Sequence, residues 1–100
     1  MWKIDGASWK RINEGVFENI QKDKLCEEIG KYINDEYSFY MSKIGEFCEN
    51  FIKSNLSEIE ETFFNKWGCK QSDGCAMIKL EKGNTENSLS CRIWVFSKLE

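Results

Sequence analysis

The chain lacks two residue types on which much protein chemistry depends. Its 100 residues include no histidine and no proline. Without histidine there is no Cys–His or Ser–His pair for nucleophilic catalysis and no imidazole ligand for zinc. Without proline, proline-rich recognition segments and rigid proline linkers are excluded. There is also no glycine-rich phosphate loop, because the GNTEN stretch at residues 83–87 is not followed by Lys-Ser/Thr and a helix. We therefore expect no enzyme activity and no cofactor.

Long apolar runs are missing as well. No stretch approaches the roughly 20 apolar residues of a membrane-spanning helix. The first ten residues, MWKIDGASWK, have no apolar core of the kind that a signal peptide carries. We expect a cytoplasmic protein that does not bind membranes. With 41% hydrophobic and 14% aromatic residues, residues 1–100 are expected to form a single domain.

Cysteine is the one reactive residue type in good supply. The five cysteines are an odd number, and in a reducing compartment we expect free thiols. Structural zinc sites use four Cys or His ligands in closely spaced pairs, and the separation of Cys69 and Cys75 does not fit. Small buried hydrophobic side chains are the expected role. A metal-binding or redox-sensing module that uses Cys69, Cys75 and Cys91 is the alternative function.

Apolar residues at helical spacing predict three to four helices. The predicted stripes are Trp9, Ile12, Val16, Ile20; then Leu25, Ile29, Tyr32, Ile33; then Tyr37, Tyr40, Ile44, Phe47, Cys48, Phe51; and finally Ile59, Phe63, Trp67. Ser57 and Glu60 match a capping box at the start of the last helix, and Gly68 is placed to end it.

The period of the apolar residues changes to two near the C-terminus, which predicts strands. Ala76, Ile78 and Leu80 alternate in the first strand, and Leu89, Cys91, Ile93 and Val95 in the second, on either side of the turn-rich residues 83–87. The predicted fold is therefore α+β, with three to four helices packed on a C-terminal antiparallel hairpin. Residues 1–5 are a candidate third strand.

Acidic residues are concentrated in the predicted helical part. The net charge is −3, but residues 25–68 carry nine acids against four lysines. This distribution does not fit direct nucleic-acid binding, which uses a clustered basic stripe. It favours a protein partner with a basic surface, for instance a nucleic-acid-binding enzyme. The acidic candidates are Asp35, Glu36, Glu46, Glu49, Glu58, Glu60 and Glu61.

The outer face of the hairpin supplies the second candidate surface. Arg92, Trp94 and Phe96 share this face, and aromatic and arginine side chains are frequent anchors of interfaces. The face is expected to contact the partner or a second copy of the chain in a homodimer. In size, acidity and lack of catalytic groups the chain is similar to phage-encoded inhibitors of host defence and to toxin-immunity proteins. The leading hypothesis is an inhibitor or antagonist that acts by binding another protein.

Overall fold

The computed structural model describes residues 9–33, 39–66, 74–85 and 87–98. In chain order the elements are β1 (Trp9–Gln21), α1 (Leu25–Tyr32), α2 (Met41–Lys53), β2 (Glu58–Phe64), β3 (Gly74–Lys82) and β4 (Ser88–Lys98), with a 3-10 turn at Lys22–Lys24. The strands form one antiparallel sheet in the order β1-β4-β3-β2. The chain therefore leaves one edge of the sheet after β1, passes through both helices and re-enters at the opposite edge as β2.

The prediction of three to four helices on a hairpin is wrong. The described part of the chain contains two α-helices and a four-stranded sheet. The regions predicted as the first and last helices are the edge strands β1 and β2. The candidate strand at residues 1–5 and the helix-ending Gly68 lie outside the described residues.

β1 imitates helical spacing because its pairing with β4 is irregular. The register shifts between Arg11 and Asn13, and again between Phe17 and Ile20, where β1 has one residue more than its partner. Asn19, in the second irregularity, has a φ of 56°. An extra residue of this kind is a β-bulge, and it resets the alternation of side chains. Phe17 and Ile20 consequently both contact the core although they are three positions apart.

β2 imitates helical spacing for a different reason. Ile59 and Phe63 are four residues apart, and residues with this spacing share a face in a strand as well as in a helix. Ser57 does not cap a helix, because its carbonyl accepts a hydrogen bond from the backbone N–H of Lys82 at 2.9 Å. Glu60 lies in the middle of the strand. The charge-rich sequence of β2 is typical of an edge strand, where charged residues discourage aggregation.

Two predicted helices and the hairpin are confirmed, but Tyr40 of the third predicted stripe precedes α2 and is exposed, and Tyr37 lies outside the described residues. α1 buries Leu25 and Ile29, and α2 buries one apolar stripe made of Ile44, Phe47, Cys48 and Phe51. The hairpin of β3 and β4 turns between Lys82 and Ser88, as predicted. Its predicted inner face is fully buried at Ile78, Leu80, Leu89 and Ile93.

The core lies between the two helices and one face of the sheet. α1 packs on β1, where the rings of Tyr32 and Phe17 meet edge to face with centroids 5.4 Å apart. α2 packs on β2 through a similar contact between Phe47 and Phe63 at 5.3 Å. Aromatic pairs of this geometry add about 1 kcal/mol beyond their buried area. One helix is thus fixed over each edge strand.

The C-terminal end of α2 is tied to β3. The ammonium group of Lys82 donates a hydrogen bond to the carbonyl of Ser54 and lies 5.3 Å from the centre of the Phe51 ring. A cation is favourable at this end of a helix because the last carbonyls carry partial negative charge. The Ser54 hydroxyl also donates to the Phe51 carbonyl at 2.8 Å. These contacts fix the short connection that leads into β2.

Candidate protein-binding surface

The acidic candidates are divided between a helix and an edge strand. Glu46 and Glu49 are exposed on α2, whereas Glu58, Glu60 and Glu61 are exposed on β2. The expectation that all of them project from helices is therefore wrong for β2. Asp35 and Glu36 lie outside the described residues. Glu49 is bound to Lys53 at 2.7 Å, and this hydrogen bond lowers the pKa of the Glu49 carboxyl.

The backbone of β2 has an outward-facing side. The Ser57 carbonyl accepts from the Lys82 N–H at 2.9 Å, and the Asn65 N–H donates to the Gly74 carbonyl at 3.3 Å. Hydrogen-bonded pairs alternate along an antiparallel ladder, so the odd-numbered residues of β2 face β3. Glu58 and Glu60 accordingly direct their backbone N–H and C=O groups away from β3. In the described part of the sheet no strand lies on that side.

The acidic side chains of β2 differ in their partners. Glu58 forms an ion pair with Lys79 at 3.4 Å, and Lys79 also contacts Glu81 at 3.4 Å. These two carboxylates raise the pKa of Lys79, with Glu58 the larger influence. No ion pair joins Glu60 or Glu61 to a cation within the described ranges, and the same is true of Glu46. Within those ranges Glu60 and Glu61 therefore add carboxylates that form no ion pair, although Glu60 pairs in register with Lys79.

A groove of about 660 Å³ is open to the surface between α2 and β2, beside the contact of Phe47 with Phe63. Its apolar lining is formed by Phe47, Phe51, Leu56, Ile59 and Phe63, and its polar lining includes Lys43, Glu46, Asn50 and Glu61. A site of this size, apolar inside and polar at its edges, is suited to receiving side chains of a ligand. The carboxylates outnumber the single lysine in this set, so a cationic or amphipathic side chain fits best.

Exposed apolar side chains gather at the two ends of β2. Leu56, just before the strand, is 51% exposed, and Phe64, its last residue, is 47% exposed. Tyr40 is also 47% exposed and donates its hydroxyl hydrogen to the Lys66 carbonyl at 2.9 Å. The sequence did not reveal these positions, because Tyr40 was assigned to a buried helix face and Leu56 carried no periodic signal.

The predicted face of Arg92, Trp94 and Phe96 lies on the side of the sheet opposite the helices. The Arg92 guanidinium is 5.8 Å from the centre of the Trp94 ring. Trp94 is paired in register with Met77, which is only 7% exposed, and Trp94 and Phe96 are themselves half-buried. Residues that pair in register share a face, so this cluster lies on the same side of the sheet as Glu58 and Glu60.

The two described cysteines of the alternative hypothesis lie on opposite faces of the sheet. Cys91 belongs to the core between sheet and helices, whereas Cys75 pairs with Phe96 on the opposite face. Cys69 lies outside the described residues. Cys26, Cys48 and Cys91 are free thiols. Within the part of the chain that can be described, no three Cys, Asp or Glu side chains cluster as a metal site.

No protein family, curated protein or solved structure matches the chain. Neither α1 nor α2 has the length and apolar character needed to cross a bilayer, and the described residues contain no further α-helix.

Proposed function

We propose that this protein is a non-enzymatic cytoplasmic inhibitor or antagonist that acts by binding another protein through the surface around β2. One observation carries the proposal: the carboxylates of Glu46 and Glu61 line one groove together with the exposed apolar residue Leu56, and Glu60 and Phe64 are exposed on the other face of the same strand. Carboxylates of one sign steer a basic partner toward the surface and raise the association rate. Exposed apolar side chains beside them supply area that is buried on contact.

The chemistry of this surface defines the class of partner. A cluster of carboxylates repels nucleic-acid phosphates, so the expected partner is a basic protein, and a nucleic-acid-binding enzyme is one such protein. The free thiols of Cys26, Cys48 and Cys91 fit the reducing conditions of the cytoplasm. No cofactor is required for an activity that consists of occupying a surface of the partner.

Affinity capture with charge-reversed protein tests the proposal. The wild-type chain and the variant Glu60→Lys/Glu61→Lys are immobilised, and proteins retained from an extract of the native host are compared by mass spectrometry. A variant with the same net charge, Glu18→Lys/Asp23→Lys, is the matched control, because both of its residues are exposed and distant in sequence from β2. We expect a partner that the wild type and the control retain and the β2 variant loses.

The dependence of association on salt gives a second measurement on the same partner. Exposed charges separated by more than about 10 Å are largely screened at 0.1 M salt. The association rate should therefore fall steeply as the salt concentration rises, while the dissociation rate changes little. An association rate independent of salt, or equal loss of the partner in both charge variants, contradicts the proposal.

A further inference from the structure

The two edges of the sheet differ in regularity. β1 pairs with β4 through two register shifts, and Asn19 in one of them has a positive φ. Bulges twist an edge and block the approach of another strand. β2 instead pairs with β3 without interruption from Glu58 to Phe64. Of the two edges in the described sheet, β2 is the one shaped to accept an additional strand.

The outward side of β2 has the groups that such a strand needs. Glu58 and Glu60 direct N–H and C=O groups away from β3, and both side chains are exposed. At the far end, Phe39 forms a β-bridge with Asn65 and so occupies the continuation of this edge. Among the described residues the first half of β2 is therefore open to a docked strand, which would end before Asn65.

Charge selects the chemistry of the incoming strand. A second copy of β2 would place Glu58, Glu60 and Glu61 beside an identical set, and like charges on neighbouring strands are destabilising. A segment with lysine or arginine would instead be attracted to the same carboxylates. The edge thus disfavours pairing with itself and favours a basic segment.

We propose that β2 binds an extended basic segment of the partner protein as a fifth strand of the sheet. The proposal rests on the function proposed above and specifies how the partner binds. Backbone hydrogen bonds to Glu58 and Glu60 supply affinity, and alternate side chains supply specificity. On one face basic side chains of the segment lie beside Glu58 and Glu60. On the other face its side chains lie beside Ile59 and Glu61, at the entrance of the groove under α2.

Peptides with blocked backbone groups test this binding mode. The probe is a short synthetic peptide in which lysine and valine alternate, titrated into the full chain and followed by calorimetry and by backbone amide NMR shifts. One derivative is N-methylated at every lysine and the other at every valine. In an added strand only one of these two sets directs its N–H groups toward β2. With the lysines opposite Glu58 and Glu60, this is the lysine set if the strand is antiparallel. If the strand is parallel, it is the valine set.

We expect one methylated peptide to bind about tenfold or more weakly and the other to bind like the parent, since each lost hydrogen bond contributes about 1 kcal/mol. The largest amide shifts should fall on Glu58 and Glu60. Equal binding of both methylated peptides, or equal weakening of both, overturns strand addition, because charge and composition are identical in the two.

A proline substitution in β2 tests the same binding mode by changing the protein instead of the peptide. The N–H of Glu60 points outward, so Glu60→Pro removes a donor for the added strand but none used by β3. Glu60→Gln is the control that removes the charge and keeps the N–H. We expect Glu60→Pro to remain folded and to bind the lysine–valine peptide several-fold more weakly than Glu60→Gln. Equal binding by two folded variants overturns the proposal, and if Glu60→Pro does not fold, the methylated peptides decide.

These outcomes separate the binding mode from the proposed function. If the captured partner depends on Glu60 and Glu61 but the two methylated peptides behave alike, strand addition is wrong and the proposed function stands. If only one methylated peptide loses binding but no partner depends on these carboxylates, the edge binds basic strands and the proposed function is wrong.

Discussion

The ring of Tyr32 in α1 lies directly over Gly15 in the middle of β1. A Cβ atom on residue 15 would be 2.6 Å from Cζ of that ring and closer still to Cε1. Phe17, two residues further along the strand, holds the same ring edge to face. The glycine therefore provides the space in which the first helix rests on the sheet.

This contact predicts that Gly15→Ala destabilises the protein. The Tyr32 ring must move and disturb its contact with Phe17, and overpacking of this kind costs about 1–3 kcal/mol. Gly30→Ala in α1 is the control, because its Cβ would lie 3.4 Å from Cε of Met41 and alanine favours the helix by up to about 1 kcal/mol. Denaturant unfolding of both variants gives the measurement. A Gly15→Ala protein as stable as Gly30→Ala would show that α1 is not seated on β1 in this way.

Asn19 gives a test of the bulge in β1. Its φ of 56° lies in the left-handed region, which asparagine tolerates, glycine adopts freely and β-branched residues avoid. We expect Asn19→Gly to change stability by less than about 1 kcal/mol and Asn19→Val to destabilise by about 1–3 kcal/mol. Thermal unfolding distinguishes the two. If residues 9–20 were helical, glycine would instead be the more damaging substitution and valine the milder one.

Two buried thiols predict a loss of stability in alkali. Burial raises the pKa of Cys48 and of Cys91 from 9.0 to about 12. The unfolded chain loses these protons first, so the free energy of unfolding falls as the pH rises above about 9, by up to ~1 kcal/mol per pH unit for each thiol. Guanidinium unfolding between about pH 8 and pH 10.5 measures the slope.

The double variant Cys48→Ala/Cys91→Ala is the control for other groups that ionise in this range. Its stability should be lower at neutral pH, because two buried side chains become smaller, but it should decline less steeply in alkali. Identical slopes for the wild type and the double variant would mean that these thiols ionise as readily in the folded protein as in the unfolded chain.

The sequence was sufficient for the elements with one regular period. The stripe of α2 from Ile44 to Phe51 and the alternation of β3 and β4 follow from burial of a single face, and these predictions are confirmed, whereas Tyr40, predicted in the same stripe, precedes the helix and is exposed. The sequence does not predict β1 as a strand, because the extra residue near Asn19 interrupts the alternation of its side chains. The core residues Phe17 and Ile20 are consequently three positions apart instead of two. β2 was missed because Ile59 and Phe63 satisfy both periods and because glutamate favours helices. In each case the sheet, which is made by contacts distant in sequence, decided the local structure.

The sequence predicts the acidic composition of the candidate surface but not which residues meet there. The excess of acids between residues 25 and 68 is visible in the sequence, but their meeting point is not. Glu46 from α2 and Glu61 from β2 line one groove because the strand lies beside the helix. Leu56 lines the same groove, although in the sequence it stands outside every predicted stripe.

Two aromatic residues on the outer face of the sheet carry opposite predictions. Trp94 is half-buried, is paired with Met77 and lies under Arg92, whereas Phe64 is 47% exposed at the end of the edge strand. We expect Trp94→Ala to lower stability by about 1–3 kcal/mol, because it uncovers Met77. Phe64→Ala should change stability by less than about 1 kcal/mol and weaken partner binding. Thermal unfolding combined with binding to the captured partner measures both effects. If Trp94→Ala leaves stability intact and abolishes binding, or yields a monomer from a homodimer in sedimentation, the anchor is the Arg92, Trp94 and Phe96 face and not the end of β2.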